Sequence, residues 1–213
     1  MPMLELVFIR HGQTAGNLRR NYVGRTDEPL CEEGRLALRQ RKTAGVYPVA
    51  DLLFCSPMLR CKQTAAIIYP QLQAQTVEEL RECNFGDFEN QNYQDLSNNL
   101  AYQRWLNSNG ELSFPGGESR AQFAERCCRG FEQAVAQLLD MPQPPACTAF
   151  VVHGGTIMAL LAAYAGCDYF SVMCANGGGY SCQLDIQHWR KQRLLLEPKP
   201  LPDLLKEDVA DER

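Results

Sequence analysis

The sequence predicts an α/β fold, a three-layer α/β/α sandwich in which a mostly parallel central sheet is flanked by helices. Three observations carry this expectation. Apolar strand-like runs alternate with helical patterns along the chain, the signature of a parallel sheet covered on both faces. Two of those runs end abruptly in a histidine followed by glycine, as at the carboxyl edge where open α/β folds keep their ligand crevice. The length, 213 residues, suits one domain that buries a substantial core without staples. We assign residues 1–197 to that domain and residues 198–213 to a flexible C-terminal tail, because the composition beyond Pro198 turns to proline and charge.

Taken in order, residues 4–9 form an apolar strand that breaks at Arg10-His11-Gly12, with Thr14 and Asn17 close behind. Gly12 lets a backbone approach closely and Arg10 offers a bidentate guanidinium. The turn then feeds a helix whose free N–H groups favour an anion. A helix is expected over 32–45. A strand over 51–55 then leads to a helix over 57–69, with Ser56 suited to the N-cap and Pro57 to the first helical position. Arg60 falls in the first turn of that helix, although without the Arg10-His11-Gly12 run it reads rather as a solvent-facing arginine.

A strand near 73–77 precedes a loop carrying Glu79, Glu82, Asp87 and Glu89, and spacing alone does not choose among these carboxylates. A helix over 93–107 carries Tyr93, Tyr102 and Trp105, with Phe114 beyond it; such aromatics either stack on a flat ligand or form the apolar face of the helix. The helix over 119–140 has its buried face at Ala124, Cys127, Phe131, Ala134, Val135 and Leu138, and Ser119 with Gln122 forms a capping box. Pro142 to Pro145 mark a stiff loop. A strand over 148–152 delivers His153 into Gly154-Gly155 and a helix over 156–165. The chain has only three histidines; His188 lacks this setting and reads as a turn or surface residue. Tyr180–Ile186 and Trp189–Leu195 predict an edge hairpin that closes the sheet.

Net charge of −4 excludes nucleic acid and anionic membranes as partners, since a mildly acidic surface attracts neither. The ten cysteines are scattered, several inside apolar strands and helices, and the first strand follows Met1 without room for a signal peptide; reduced thiols in the cytoplasm are expected. The longest apolar run, around Ile157 to Ala165, is too short to span a bilayer. No cofactor and no metal is expected, because the cysteines lack the paired spacings of zinc sites and no acidic cluster resembles a magnesium site.

As a set, Arg10-His11-Gly12-Gln13-Thr14 with Asn17, Ser56-Pro57 with Arg60, Gln63 and Thr64, Leu80-Arg81-Glu82 with Phe85-Gly86, Phe114 to Ser119, and Val152-His153-Gly154-Gly155 resemble the histidine phosphatase superfamily, the phosphoglycerate-mutase-like fold. The matches fall in family order from residue 4 to about residue 187. The resemblance implies that His11 attacks phosphorus to form a phosphohistidine, and that Arg10, Arg60 and His153 hold the phosphoryl oxygens. It implies Glu82 as the proton donor to the leaving alcohol. It further implies Thr14, Asn17, Val23, Gly24 and Gly154 as the expected substrate-binding positions. The scheme asks for a neutral His11 and a cationic His153, hence pKa values pushed apart.

Within the superfamily the chain is most similar to the α-ribazole phosphatase group and its broad-specificity relatives. It departs from them at Phe88-Glu89-Asn90, where that group carries Trp-Glu-Gly at the pocket rim. Arg104 is the only cation between Glu82 and Pro115, which favours hydrolysis over a phosphoglycerate mutase that must grip a second acidic group. A binding module without turnover is disfavoured because Arg10, His11, Arg60, Glu82 and His153 are all present. The partner implied is a small phosphorylated metabolite, such as α-ribazole 5′-phosphate, and a homodimer is left open.

Overall fold

Along the first strand, β1 (Met3–Arg10), Leu4, Leu6 and Phe8 are buried in one core while Val7 and Ile9 are buried in another, as in a strand covered on both faces. The computed structural model describes residues 3–203. The remaining strands are β2 (Leu52–Cys55), β3 (Gln75–Thr76), β4 (Cys147–Val152), β5 (Gly179–Asp185) and β6 (Leu196–Pro200). They form one six-stranded sheet in the order β3-β2-β4-β1-β5-β6. The first four are parallel, and β5 and β6 are added in antiparallel fashion. The helices are α1 (Ala15–Leu18), α2 (Glu32–Thr43), α3 (Leu59–Ile68), α4 (Leu100–Asn107), α5 (Arg120–Leu139), α6 (Gly154–Ala165) and α7 (Ile186–Gln192). This is the expected α/β/α sandwich. Among the described residues no helix is long and apolar enough to cross a membrane.

Phenylalanines define one face. Phe8 and Phe54 each stand in register with Phe150, with ring centroids 5.3 and 5.1 Å apart, and Phe131 from α5 closes on Phe8 and Phe150 at 5.6 and 5.4 Å. On the other face Val7, Ile9, Leu53 and Val151 pack against Leu38 of α2 and Cys61, Ala65 and Ile68 of α3. The two faces lock β1 beside β4 with Arg10 opposite Val152, so His11 and His153 leave the sheet at the same level.

Several elements differ from the sequence reading. Helix α3 starts at Leu59, not at Pro57, and Met58 is its N-cap, so the Ser56 hydroxyl is freed for another partner; Arg60 stays in the first turn. Only Leu100–Asn107 of the 93–107 segment is an α-helix. Ahead of it the Asn92 side chain accepts from the N–H groups of Gln94 and Asp95, diverting the backbone into turns. The expected hairpin is replaced by α7 and then β6. Asp185 caps the N–H groups of Gln187 and His188, and Trp189 turns into the core against Phe131 and Tyr164. The polar run Arg190 to Arg193 has no alternation to support a strand.

The tail boundary also moves. Pro198 to Pro200 belong to β6, Leu201 is buried, and Arg41 pairs with Asp203 at 3.2 Å, so the chain is packed through residue 203. Residues 204–213 of the expected tail lie outside the described residues.

Candidate active site

Each charged group of the site is seated by a specific local device. His11 is 4% exposed and its Nδ1–H donates to the Gly12 carbonyl at 2.7 Å. A carbonyl only accepts, so the proton sits on Nδ1 and Nε2 carries the free lone pair. The next N–H, that of Gly12, donates to Thr64 Oγ1, whose hydroxyl donates to the Arg60 carbonyl. The histidine turn is thereby tied to the helix that carries Arg60.

Arg60 is fully buried. Its Nη1 donates to the Thr26 carbonyl (2.8 Å), and Nη2 donates to the carbonyls of Gly24 (2.9 Å) and Val23 (3.3 Å). Val23 and Gly24, expected as substrate contacts, thus form the seat of an arginine, and the Gly24 N–H is taken by Glu89. Glu89 also accepts from the Arg25 N–H and the Thr26 hydroxyl, so it pins the loop on which Arg60 rests. Among the described residues, the Nε atoms of both Arg10 and Arg60 are buried without a hydrogen-bond partner, which leaves each arginine a donor for an acceptor.

Arg10 donates through Nη1 to the Cys174 carbonyl at 2.6 Å and lies along Gly154, where an added Cβ would stand 3.3 Å from its Nε. Thr14 and Asn17 form the capping box of α1, with Asn17 Oδ1 accepting from the Thr14 N–H and from Asn176 Nδ2. Asn17 Nδ2 is left as a donor. His153 is fully buried, caps α6 by its backbone, and shares a 2.8 Å hydrogen bond through Nε2 with Ser56 Oγ. The His11 and His153 rings meet nearly edge to face with centroids 5.2 Å apart.

Glu82 is the carboxylate that comes to this cluster. Its Oε1 accepts from the Cys83 N–H at 2.9 Å, and an added Cβ on Gly155 would lie 2.7 Å from that oxygen. The three competitors are engaged elsewhere or point outward. Glu79 packs on Gly130, Asp87 is exposed, and Glu89 holds the Arg60 loop. Burial, opposed by the Cys83 N–H and by Arg60 and Arg10, raises the Glu82 carboxyl above the ordinary value of 4.5.

Both histidines are shifted in one direction, which corrects the expectation that they would be pushed apart. Burial first, then the charge of Arg60, holds His11 and His153 well below 6.5. The reason is that both rings share one buried enclosure with two arginines. A phosphate dianion bound there would oppose those charges.

This has a measurable consequence for stability. The unfolded chain takes up protons at His11 and His153 as pH falls through 6.5, and the folded chain refuses them, so stability is full above that pH and is lost below it. The slope approaches about 2.7 kcal/mol per pH unit for two such groups. Urea unfolding at pH 7.5 and 5.5 measures this, His11→Ala should remove about half of it, and equal midpoint stabilities at the two pH values would contradict it.

Two of the cavities at the site share Tyr22. One, of about 500 Å³, has mainly apolar walls from Phe85, Trp105, Phe114, Phe123 and Met158, with Glu82 among its lining residues. The other, of about 290 Å³, is lined by Arg10, Asn17, Arg20, Asn21, Tyr93 and Asn176. Tyr102 belongs to the core, sharing a 3.0 Å hydroxyl bond with Tyr22. Phe88 is not at a rim: it is fully buried, edge-on to Tyr102 and Phe114. Asn90 takes the left-handed φ of 61°, a conformation that asparagine tolerates and glycine favours. Among the described residues no three His, Cys, Asp or Glu side chains gather as a metal ligand set.

Sequence reasoning missed Ser56 as the partner of His153, Asn176 as the brace of the His11 turn, and Glu89 as the anchor of the Arg60 loop. Each acts across more than sixty residues of sequence, and only the tertiary fold brings the partners together.

A histidine beside a strand end, two arginines with buried, unpartnered Nε atoms and a carboxyl whose pKa burial raises are gathered in one enclosure. The chain belongs to the histidine phosphatase superfamily (branch 1), whose family model matches residues 6–194, and it is an enzyme of the phosphatase class. It is 30% identical over 167 residues to the adenosylcobalamin/α-ribazole phosphatase of Escherichia coli K12, covering 76% of this chain and 80% of the relative. It is 28% identical over 171 residues to a 2,3-bisphosphoglycerate-dependent phosphoglycerate mutase of Rhizobium etli, covering 74% and 78%. The solved structure of the α-ribazole phosphatase from Shigella flexneri superimposes with a TM-score of 0.76 at 25% identity, covering 92% of this chain and 96% of that one.

Proposed function

We propose that this enzyme is a metal-independent phosphomonoester hydrolase that acts through a phosphohistidine on His11. The observation that carries the reading is the 2.7 Å bond from His11 Nδ1 to the Gly12 carbonyl, which leaves Nε2 unprotonated beside two arginines with unmet donors. In the first step Nε2 bonds to phosphorus and the ester P–O bond breaks, while the Glu82 proton passes to the departing oxygen. In the second, water bonds to phosphorus and gives its proton to the Glu82 carboxylate; the N–P bond breaks and inorganic phosphate leaves. Arg10, Arg60 and His153 stabilise the charge on the oxygens in flight, with Asn17 Nδ2 adding a donor.

The substrate is a small phosphorylated metabolite, and α-ribazole 5′-phosphate is the candidate the relatives suggest. The apolar cavity beside Glu82 suits a flat, weakly polar leaving alcohol better than phosphoglycerate with its second acidic group. Turnover of an aryl phosphate and of α-ribazole 5′-phosphate in the presence of a chelator, with one phosphate released per ester consumed, is the expected result. Isomerisation of 3-phosphoglycerate dependent on a bisphosphate primer, without net phosphate release, would replace this reading by the mutase one.

A further inference from the structure

Glu82 is the one member of the site that neither a strand end nor an α-helix carries. It stands in irregular backbone between two single 3₁₀ turns, Glu78–Leu80 and Gly86–Phe88, where no β-ladder fixes the chain. The carbonyls around it converge on one guanidinium. Arg126, from the second turn of α5, donates through Nη1 to the carbonyls of Glu79 (2.6 Å) and Arg81 (3.0 Å), and through Nη2 to the carbonyl of Glu82 itself (3.2 Å).

The rest of the same guanidinium is engaged by Glu118. Nε meets Oε1 and Nη2 meets Oε2, each at 2.7 Å, and Oε2 also accepts from the Asn84 N–H at 2.9 Å. Arg126 further stacks on Phe123 one turn earlier, 5.2 Å from the ring centroid, and Phe123 flanks the same Gly155 that contacts the Glu82 carboxylate. Arg126 makes no hydrogen bond to Arg10, His11, Arg60 or His153. Its whole donor set is spent on the backbone that presents Glu82 and on the carboxylate that braces it.

We propose that Arg126, held by Glu118, is a positioning residue for Glu82: the pair fastens the 79–84 backbone to α5 so that the Glu82 carboxyl meets the leaving oxygen. The proposal rests on Glu82 acting as the proton donor described above. A planar fork suits this task and an ammonium does not, because the acceptors lie in several directions around one rigid plane. Misplacing an acid by about 1 Å costs on the order of 10²-fold in rate, and only for reactions that need the acid.

The test therefore varies the leaving group. kcat/KM, which reports transfer to His11 and not the later hydrolysis that also uses Glu82, is measured with an alkyl phosphate, whose alkoxide must be protonated to depart, and with 2,4-dinitrophenyl phosphate, whose phenolate departs unprotonated. Inhibition by inorganic phosphate is followed alongside. Arg126→Ala should lose about 10²-fold in kcat/KM on the alkyl ester and less than about threefold in kcat/KM on the dinitrophenyl ester. Inhibition by inorganic phosphate should hold. Arg126→Lys, which keeps the charge and the stem over Phe123, should lose about tenfold on the alkyl ester alone, and it carries the test if the alanine variant does not fold.

Equal losses on both esters would reduce Arg126 to a general stabilising role and overturn the proposal, as would no loss on either. Glu82→Gln is run in parallel to separate the two readings. If Glu82→Gln discriminates between the esters and the Arg126 variants do not, the positioning role fails and the proton donor stands. If Glu82→Gln does not discriminate, the proton-donor assignment itself fails, and the role of Arg126 with it.

Discussion

His11→Ala should lower turnover of any phosphomonoester by about 10⁴-fold or more while leaving the fold intact. The expected size follows from the division of labour in the site. Arg10, Arg60 and His153 would remain in the variant and still bind phosphate, but no other uncharged nitrogen is aimed from the enclosure: the Nε2 of His153 is occupied by Ser56. Water would have to attack the ester directly. Binding should survive, so the variant should retain phosphate inhibition within a few fold. The decisive observation is rapid quenching with ³²P-labelled substrate, which should trap acid-labile, base-stable label on the wild type and none on His11→Ala. Activity of the variant within tenfold of the wild type, or label that persists on it, would sink the phosphohistidine reading.

What could be read from the sequence follows the range of the interactions involved. β1 and β4 are central strands buried on both faces, so their apolar runs and their terminal histidines stand out in the chain itself. Helix α5 announces itself through a capping box and a single apolar stripe, and both are found. Arg60 falls in the first turn of its helix as read, even though the cap lies two residues later. The choice of Glu82 over its neighbours needed the family resemblance, because what disqualifies Glu89 is a loop more than sixty residues earlier that it holds in place.

The failures share a cause. The sequence places Trp189 in a strand because its partners Phe131 and Tyr164 come from α5 and α6, and local alternation carries no trace of them. Pro198 to Pro200 look like a tail by composition, yet they pair with β5, whose free edge is invisible in sequence. The expectation of opposite shifts for His11 and His153 considered each ring with its own role. In the structure they share one buried, positively charged enclosure, and burial acts on both alike.

Glu82→Gln should cost about 10² to 10⁴-fold in kcat/KM on alkyl phosphates and far less in kcat/KM on esters with good leaving groups. The pH profile explains why the carboxyl is placed where burial raises its pKa. The first chemical step needs a neutral His11 together with a protonated Glu82. With ordinary values of 6.5 and 4.5 that combination reaches only about 1% of molecules, even at the best pH between them. Burial lowers the histidine and raises the carboxyl, so both shifts move the pair toward the uncharged state the reaction uses. The rate of this step should accordingly fall as pH rises through the raised Glu82 value, and that limb should vanish in Glu82→Gln. Stability should move the opposite way. Above pH 4.5 the unfolded chain ionises Glu82 while the folded chain resists, so the wild-type carboxyl is a liability at neutral pH. Gln keeps an acceptor for the Cys83 N–H and removes that liability, so the variant should melt higher than the wild type at pH 7. A variant that loses activity and stability together would mean that Glu82 holds the loop rather than supplying the proton.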